Sequence, residues 1–106
     1  MKLWIDDERP APYGWTPATS FDDAKALLQD AILNRTLDAV SFDHDLGDAD
    51  ERRNGYALAC VMEQAAVDGW LTWFNGPIVC RSDNGPGRLK IDAAIASIIR
   101  IIERGR

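Results

Sequence analysis

The chain has 106 residues, the usual length of one domain, of which 46% are hydrophobic and 27% charged. This composition is typical of a globular protein and excludes a disordered or fibrous chain. No apolar run approaches the roughly 18 residues that a membrane helix needs, and the N-terminal segment carries charges where a signal peptide is apolar. We therefore expect a single domain over residues 1–106 that lies in the cytoplasm and has no membrane partner.

The net charge of −5 is unevenly distributed along the chain. Residues 1–50 hold 11 acidic and 4 basic side chains, whereas residues 81–106 hold 3 acidic and 6 basic ones. An entirely acidic protein would repel anionic ligands. An acidic first half followed by a basic end instead predicts a site that binds a cation and an anion together.

Short apolar strands alternate with amphipathic helices along the chain. The predicted strands cover residues 2–5, 15–19, 38–42 and 77–80, and the predicted helices run over 21–32, from 54 or 55 to 69, and from about 88 to 104. This alternation is typical of βαβ units, so we expect a three-layer α/β domain with a mostly parallel sheet of about four strands. Pro17 has no N–H for a ladder hydrogen bond, which places the second strand at an edge and favours the order 2-1-3-4.

Acidic residues follow the first and third predicted strands. Asp6, Asp7 and Glu8 come directly after the first strand, and Asp43 and Asp45 follow the third. In the order 2-1-3-4 these strand ends are neighbours, at the position where ligands bind in open parallel sheets. Carboxylates this close repel one another unless a cation or a proton separates them, and Mg²⁺ or Mn²⁺ prefers ligation by oxygen atoms. A metal site is predicted here; the other interpretation is that these acids are solvated loop residues or helix caps.

His44, the only histidine of the chain, lies between Asp43 and Asp45. A histidine beside carboxylates can act as a general acid or base, or as an additional metal ligand. A lone histidine can equally be a hydrogen-bonded structural residue, so both interpretations of His44 stay open at this point.

The fourth predicted strand ends in the segment RSDNGPGR, residues 81–88, which leads into the last helix. Its glycines allow left-handed backbone, and the free N–H groups at the start of a helix attract anions. Together with Arg81 and Arg88, these groups predict an oxyanion or phosphate site at the same edge of the sheet as the carboxylates. The alternative is a helix-entry turn with surface arginines.

Four segments resemble the cyclic-phosphate-processing receiver domains, which are relatives of response-regulator receivers. They are LWIDDERPAP, SFDHDLG, NGY and RSDNGPGR, and the resemblance spans nearly the whole chain. It implies a receiver-like (flavodoxin-like) fold, a metal-binding acid pair at Asp6 and Asp7, a phosphoacceptor at Asp43 and a hydroxyl residue at Ser82. The fifth βα unit of a receiver has no counterpart after the isoleucine-rich helix, so we expect a fold truncated at this unit.

Within the cyclic-phosphate group, the resemblance also implies that His44, Asn84, Gly87 and Arg88 match functional positions. The last motif of the group begins with histidine, whereas this chain has Arg81 there. A mechanism that uses two histidines as acid and base therefore cannot operate unchanged in this chain.

These features lead to an enzymatic hypothesis, a metal-dependent phosphohydrolase that processes a cyclic phosphate on a nucleotide, another phosphorylated small molecule or an RNA end. Asp6, Asp7 and Asp43 would hold Mg²⁺ or Mn²⁺. Catalysis would fall to His44, Asp45 and Asp43, with His44 protonating the leaving oxygen and Asp45 orienting water or acting as base. The phosphate-binding residues would be Arg81, Ser82, Asn84, Gly87 and Arg88.

The alternative hypothesis is a receiver-like binding module without catalysis, in which the acidic pocket is vestigial. The missing fifth βα unit and the missing second histidine both favour this alternative. The sheet would then have an open edge beyond the fourth strand, suited to a protein partner or to a homodimer.

Overall fold

The computed structural model describes all residues, 1–106, and contains four β-strands and three α-helices. In chain order the elements are β1 (Lys2–Ile5), β2 (Trp15–Ala18), α1 (Phe21–Leu33), β3 (Ala39–Phe42), α2 (Gly55–Val67), β4 (Ile78–Cys80) and α3 (Gly85–Arg104). Every predicted element is present, and the bounds agree within two residues except at the start of α3. None of the helices combines the length and the apolar character that crossing a membrane requires.

The strands form one parallel sheet in the order β2-β1-β3-β4, which confirms the predicted order. In the register of this sheet, Leu3 of β1 lies opposite Thr16 of β2 and Val40 of β3. Pro17 lies on the edge strand β2, where only one side of the strand has a partner. The carboxyl ends of β1, β3 and β4 therefore meet at one edge of the sheet.

The three helices pack in a row, with α2 in contact with both α1 and α3. Alternate residues of a strand point to the same face of a sheet, and Leu3, Ile5, Val40 and Phe42 share one hydrophobic core with the apolar faces of all three helices. Burial of this core drives folding, because apolar area removed from water contributes roughly 25 cal/mol per Å².

The opposite face of the sheet is covered by loop and side chains rather than by a helix, which differs from the helical third layer that we expected. The β1–β2 connection, residues 6–14, contains no helix. Trp4 lies on this face, where its ring contacts Trp15 edge-on at a centroid distance of 5.8 Å. Its Nε1 donates a hydrogen bond to the Arg9 carbonyl at 3.0 Å, so the connecting loop itself shields the tryptophan.

Helix α3 begins three residues earlier than the sequence predicts. Asn84 caps it, with its side-chain oxygen accepting a hydrogen bond from the Gly87 N–H at 2.9 Å. Pro86 lies in the first turn, where its missing N–H leaves no helical hydrogen bond unmade. The glycine- and proline-rich segment is therefore helical and not an irregular loop, and neither Gly85 nor Gly87 has the left-handed backbone that we expected.

Gly55, at the start of α2, lies against the chain that leaves β3. Its N–H donates to the His44 carbonyl at 2.8 Å, and a Cβ atom at this position would lie 1.7 Å from the carbonyl oxygen of Asp43. That neighbour is backbone, so it cannot move aside without shifting the end of β3.

We therefore predict that Gly55→Ala lowers the free energy of unfolding by about 1–3 kcal/mol or more in urea titration, because the clash is with backbone. Gly85→Ala is the matched control, since a Cβ at Gly85 meets nothing within 4 Å. This control should leave stability unchanged or raise it by up to about 1 kcal/mol. Equal stability of the two variants would contradict the prediction.

Candidate functional site

Three carboxylates meet at the carboxyl edge of the sheet, as the strand order predicts. The Asp43 N–H donates to the Ile5 carbonyl at 3.1 Å, which extends the β1–β3 ladder and places Asp43 beside Asp6. Asp6, Asp7 and Asp43 each offer an oxygen atom, and these atoms all lie within 4.8 Å of one another. We call these three residues the acid cluster.

Asp6 is buried, with a relative exposure of 3%, and is held by its own loop. Its Oδ1 accepts hydrogen bonds from the backbone N–H groups of Glu8 and Arg9, both at 2.9 Å. Its Oδ2 accepts a third from Nε of Arg9 at 3.0 Å. These bonds compensate the burial of the charge and fix the carboxylate at the end of β1.

Arg9 belongs to this site although the sequence reasoning did not single it out. Besides its bond to Asp6, its Nη2 lies 3.8 Å from Oδ1 of Asp43 and donates to the carbonyl oxygen of Arg81. Desolvation lowers the pKa of Arg9, but the charge of Asp6, its hydrogen bond and the charge of Asp43 outweigh this and raise the pKa overall. The signal that could have identified Arg9 is the need of any acid cluster for a nearby cation.

Asp43 lies at the boundary between the core and the site, with a side-chain exposure of 13%. Its pKa is raised, first because burial disfavours the charged form and second because of the neighbouring charge of Asp6. Three contacts oppose this shift, namely the backbone N–H of His44, the charge of Arg9 and a hydrogen bond with Ser82. The net effect is a carboxylate that is destabilised when ionised in the absence of a bound cation.

His44 is fixed by one side chain of its own loop and one from the residue that caps α3. Its Nδ1 lies 2.9 Å from Oδ1 of Asp45, and the side-chain amide of Asn84 lies 3.3 Å from both atoms. Because a carboxylate accepts hydrogen bonds, the short contact favours the tautomer with the proton on Nδ1. Nε2 is then the ring nitrogen left for chemistry.

Gly87 is required at this site by close approach. A Cβ atom on Gly87 would lie 2.4 Å from Cγ of His44, so the imidazole ring packs directly on the first turn of α3. The role of this glycine is therefore to make room for His44, and not to adopt the left-handed backbone that the sequence suggested.

The polar groups of the segment between β4 and α3 largely form hydrogen bonds with other groups of the protein. Ser82 is buried, and its Oγ accepts a hydrogen bond from the Asn84 N–H at 3.1 Å. The Gly87 N–H, one of the free donors expected at the helix start, is taken by the Asn84 side chain.

The two arginines predicted to bind phosphate point elsewhere. The guanidinium of Arg81 lies over the ring of Trp4, 5.5 Å from its centroid. Nε of Arg88 lies 3.8 Å from Oδ2 of Asp92, one turn further along α3. Of the five residues predicted to bind phosphate, the structure brings Ser82, Asn84 and Gly87 to the site.

Two polar cavities adjoin the site. The smaller, of about 220 Å³, is lined by five carboxylates, one arginine and one asparagine: Asp7, Glu8, Asp43, Asp45, Asp83, Arg9 and Asn84. The larger, of about 510 Å³, is lined by His44, Asp45 and residues of the loop before α2, together with Lys90. Asp45 lines both cavities, so the carboxylates and the histidine are parts of one continuous polar region.

The acid cluster has the chemistry of a site for a hard divalent cation. All its donors are carboxylate oxygens, which suit Mg²⁺ and Mn²⁺, and Asp7 and Asp43 line the smaller cavity. With Arg9 counted, the three carboxylates retain two negative charges, which a divalent cation would balance. The residues present therefore fit such an ion.

A parallel four-stranded sheet with an acid cluster at its carboxyl edge defines an α/β domain of the receiver class. The model of one protein family, described as the cyclic-phosphate processing receiver domain, matches residues 1–97, and the chain belongs to this family. This match confirms the resemblance that the four sequence segments suggested. No curated protein and no solved structure is significantly similar to the chain.

The raised pKa of Asp43 predicts how one substitution changes stability with pH. The folded chain keeps the Asp43 proton at pH values where the unfolded chain, with a pKa of 3.8, has lost it. Ionised Asp43 therefore reduces stability, and this loss develops as pH rises from 3.8 through the higher folded value. In EDTA at pH 7, Asp43→Asn should unfold at a higher urea concentration than the wild type.

The advantage of this variant should shrink as pH falls below 4, where both states of the wild type hold the proton. Asp92→Asn removes an exposed carboxylate from α3 and serves as the control for net charge. If Asp43→Asn is no more stable than this control at pH 7, the ionised Asp43 carboxylate is not under the electrostatic stress described.

Proposed function

We propose that this domain is a metal-dependent phosphohydrolase that opens a cyclic phosphate on a nucleotide or an RNA end. The observation that carries the proposal is the continuity of the acid cluster with His44 through Asp45, in a chain of the cyclic-phosphate processing receiver family. Carboxylates can hold a cation that acts as a Lewis acid, and a positioned histidine can act as a general acid, and the two together are sufficient to catalyse hydrolysis of a phosphoester.

In this proposal Asp6, Asp7 and Asp43 hold Mg²⁺ or Mn²⁺. When bound, such an ion supplies Lewis acidity, which neutralises charge on phosphoryl oxygens and lowers the pKa of water. The hydrogen bonds of Asp6 to its own loop keep this carboxylate in position before any ion arrives. Preorganisation of this kind avoids rearrangement when the ligand binds.

His44 is the general acid of the proposed reaction. Water forms a new P–O bond and gives one proton to Asp45, one ring P–O bond breaks, and Nε2 of protonated His44 gives its proton to the leaving oxygen. Asp45 stabilises the charged ring through Nδ1, and Asn84 holds this carboxylate from α3. Asp45 also lines the smaller cavity, which supports its proposed role of orienting the attacking water and accepting its proton.

The phosphate group is proposed to lie between the acid cluster and the start of α3, near Ser82, Asn84 and Gly87. Arg81 and Arg88 would join it only by leaving Trp4 and Asp92. Because five carboxylates and one arginine line the smaller cavity, a phosphate anion is repelled until a cation is present. Binding of metal and of phosphate is therefore expected to be coupled.

The proposal is tested by titrating Mg²⁺ or Mn²⁺ into the protein with backbone NMR, followed by assays on nucleoside cyclic phosphates and RNA with a cyclic phosphate end. We expect binding at millimolar concentration or tighter, with shifts at Asp6, Asp7 and Asp43, and hydrolysis that EDTA abolishes. Asp43→Asn should reduce turnover below detection without loss of folding. Full activity of this variant would refute the mechanism.

The packing of Gly87 on His44 gives a second test. Gly87→Ala should move the imidazole away from Asp45 and reduce kcat by about 10²-fold, the usual contribution of a general acid. Gly85→Ala lies in the same helical turn, meets no neighbour, and should retain kcat. Equal kcat values for the two variants would remove His44 from the chemistry.

A second candidate function is a binding module without catalysis, and one surface feature favours it. A groove of about 540 Å³ lies between α1 and α2, and its lining includes Leu33 and Trp70, which are both more than half exposed. Exposed apolar side chains of this size often mark an interaction surface. This alternative predicts that the wild type shows no metal-dependent hydrolysis. Hydrolysis by the wild type that is lost in Asp43→Asn would contradict it.

A further inference from the structure

Arg9 contacts carboxylates whose charge a bound divalent cation would also need to neutralise. Its guanidinium contacts two of the three carboxylates of the acid cluster, with Nε 3.0 Å from Oδ2 of Asp6 and Nη2 3.8 Å from Oδ1 of Asp43. It is the only basic residue lining the smaller cavity. The chain therefore supplies its own counter-ion to the site.

The contacts of Arg9 leave it part-exposed but tethered. Its backbone N–H and Nε both bond to Asp6, and Nη2 donates to the Arg81 carbonyl at the end of β4. The guanidinium thus bridges the loop after β1 to the segment after β4. Two hydrogen bonds of the side chain therefore hold the guanidinium over the carboxylates.

We infer that Arg9 is the resident counter-ion of the acid cluster and sets its affinity for a divalent cation by competing for Asp6 and Asp43. This inference rests on the proposed function, because it assumes that the acid cluster is the metal site. The physical basis is charge: an ion of charge +2 that approaches the cluster meets the positive guanidinium already bound there. Arg9 therefore weakens metal binding while it holds the metal-free carboxylates together.

The same argument makes Arg9 a positioning residue for the ion-free protein. Without it, Asp6 remains buried beside the ionised Asp43 with no cation, and only the two backbone N–H groups still compensate its charge. Removal of Arg9 leaves the buried Asp6 carboxylate without its charged partner, which destabilises the fold, although the exposure of the guanidinium makes the loss smaller than for a fully buried pair. We expect substitution of Arg9 to lower the free energy of unfolding in EDTA. The decrease should be smaller when a divalent cation is present.

The experiment compares Mn²⁺ affinity and urea stability of the wild type, Arg9→Gln and Arg9→Lys at pH 7. Arg9→Gln should bind Mn²⁺ at least about fivefold more tightly, since removal of one unit charge about 4 Å away matters even at the dielectric constant of water. Arg9→Lys retains the charge and should lie between the two. Arg100→Gln removes an exposed charge from α3 and should leave affinity unchanged.

A separate readout follows the Arg9 side chain itself. In the wild type, Mg²⁺ should shift the Nε–H signal of Arg9, identified by its absence from Arg9→Lys, because the ion displaces Nε from Asp6. Affinity that is unchanged or weaker in Arg9→Gln would overturn the inference, and so would an Nε–H signal that does not move as Mg²⁺ saturates the protein.

The two proposals fail in different ways. Tighter Mn²⁺ binding by Arg9→Gln without hydrolysis of any cyclic phosphate would support the role of Arg9 and refute the enzymatic function. Metal-dependent hydrolysis with equal Mn²⁺ affinity in the wild type and Arg9→Gln would support the enzymatic function and refute the role of Arg9. Absence of Mn²⁺ binding to the wild type and to Arg9→Gln would refute both.

Discussion

The hydrogen bond from the Asp43 N–H to the Ile5 carbonyl carries the β1–β3 ladder one residue beyond the strands, and the site depends on it. Parallel pairing in this register forces two carboxylates to the same edge of the sheet. Their repulsion is therefore a consequence of the fold, and neighbouring groups of the site compensate the two charges. Asp6 takes two backbone N–H groups and Arg9, whereas Asp43 takes the N–H of His44 and a bond with Ser82.

The sequence alone was sufficient to predict the sheet, its strand order and the meeting of Asp6 with Asp43, because apolar periodicity and the edge position of Pro17 are local signals. It was not sufficient to predict the direction of long side chains. Arg81 lies over Trp4 because no helix covers that face of the sheet, and this depends on tertiary structure. Arg9 was missed for the same reason, since its partners come from three separate strand ends.

The glycines illustrate the same limit. Gly85 and Gly87 suggested left-handed backbone, yet both are helical, and what matters at Gly87 is the missing Cβ atom. Gly55 has the equivalent role against the carbonyl of Asp43. Two helices therefore approach the chain after β3 from two sides at glycine positions, and this close packing confines residues 43–45. Contacts across space of this kind leave no periodic signal in a sequence.

The charges at the site also determine the order in which ligands can bind. The five carboxylates of the smaller cavity make the ion-free site repel phosphate, and Arg9 offsets only part of this charge. A divalent cation that displaced Arg9 would reduce the charge of the three ionised carboxylates to one net negative charge and would free a guanidinium at the rim of the same cavity. The released guanidinium would then be the one basic side chain of this cavity that is free for a phosphate oxygen, a role that Arg81 and Arg88 do not fill from their positions over Trp4 and beside Asp92. Arg9 would then stabilise the carboxylates before a cation binds and would bind phosphate afterwards.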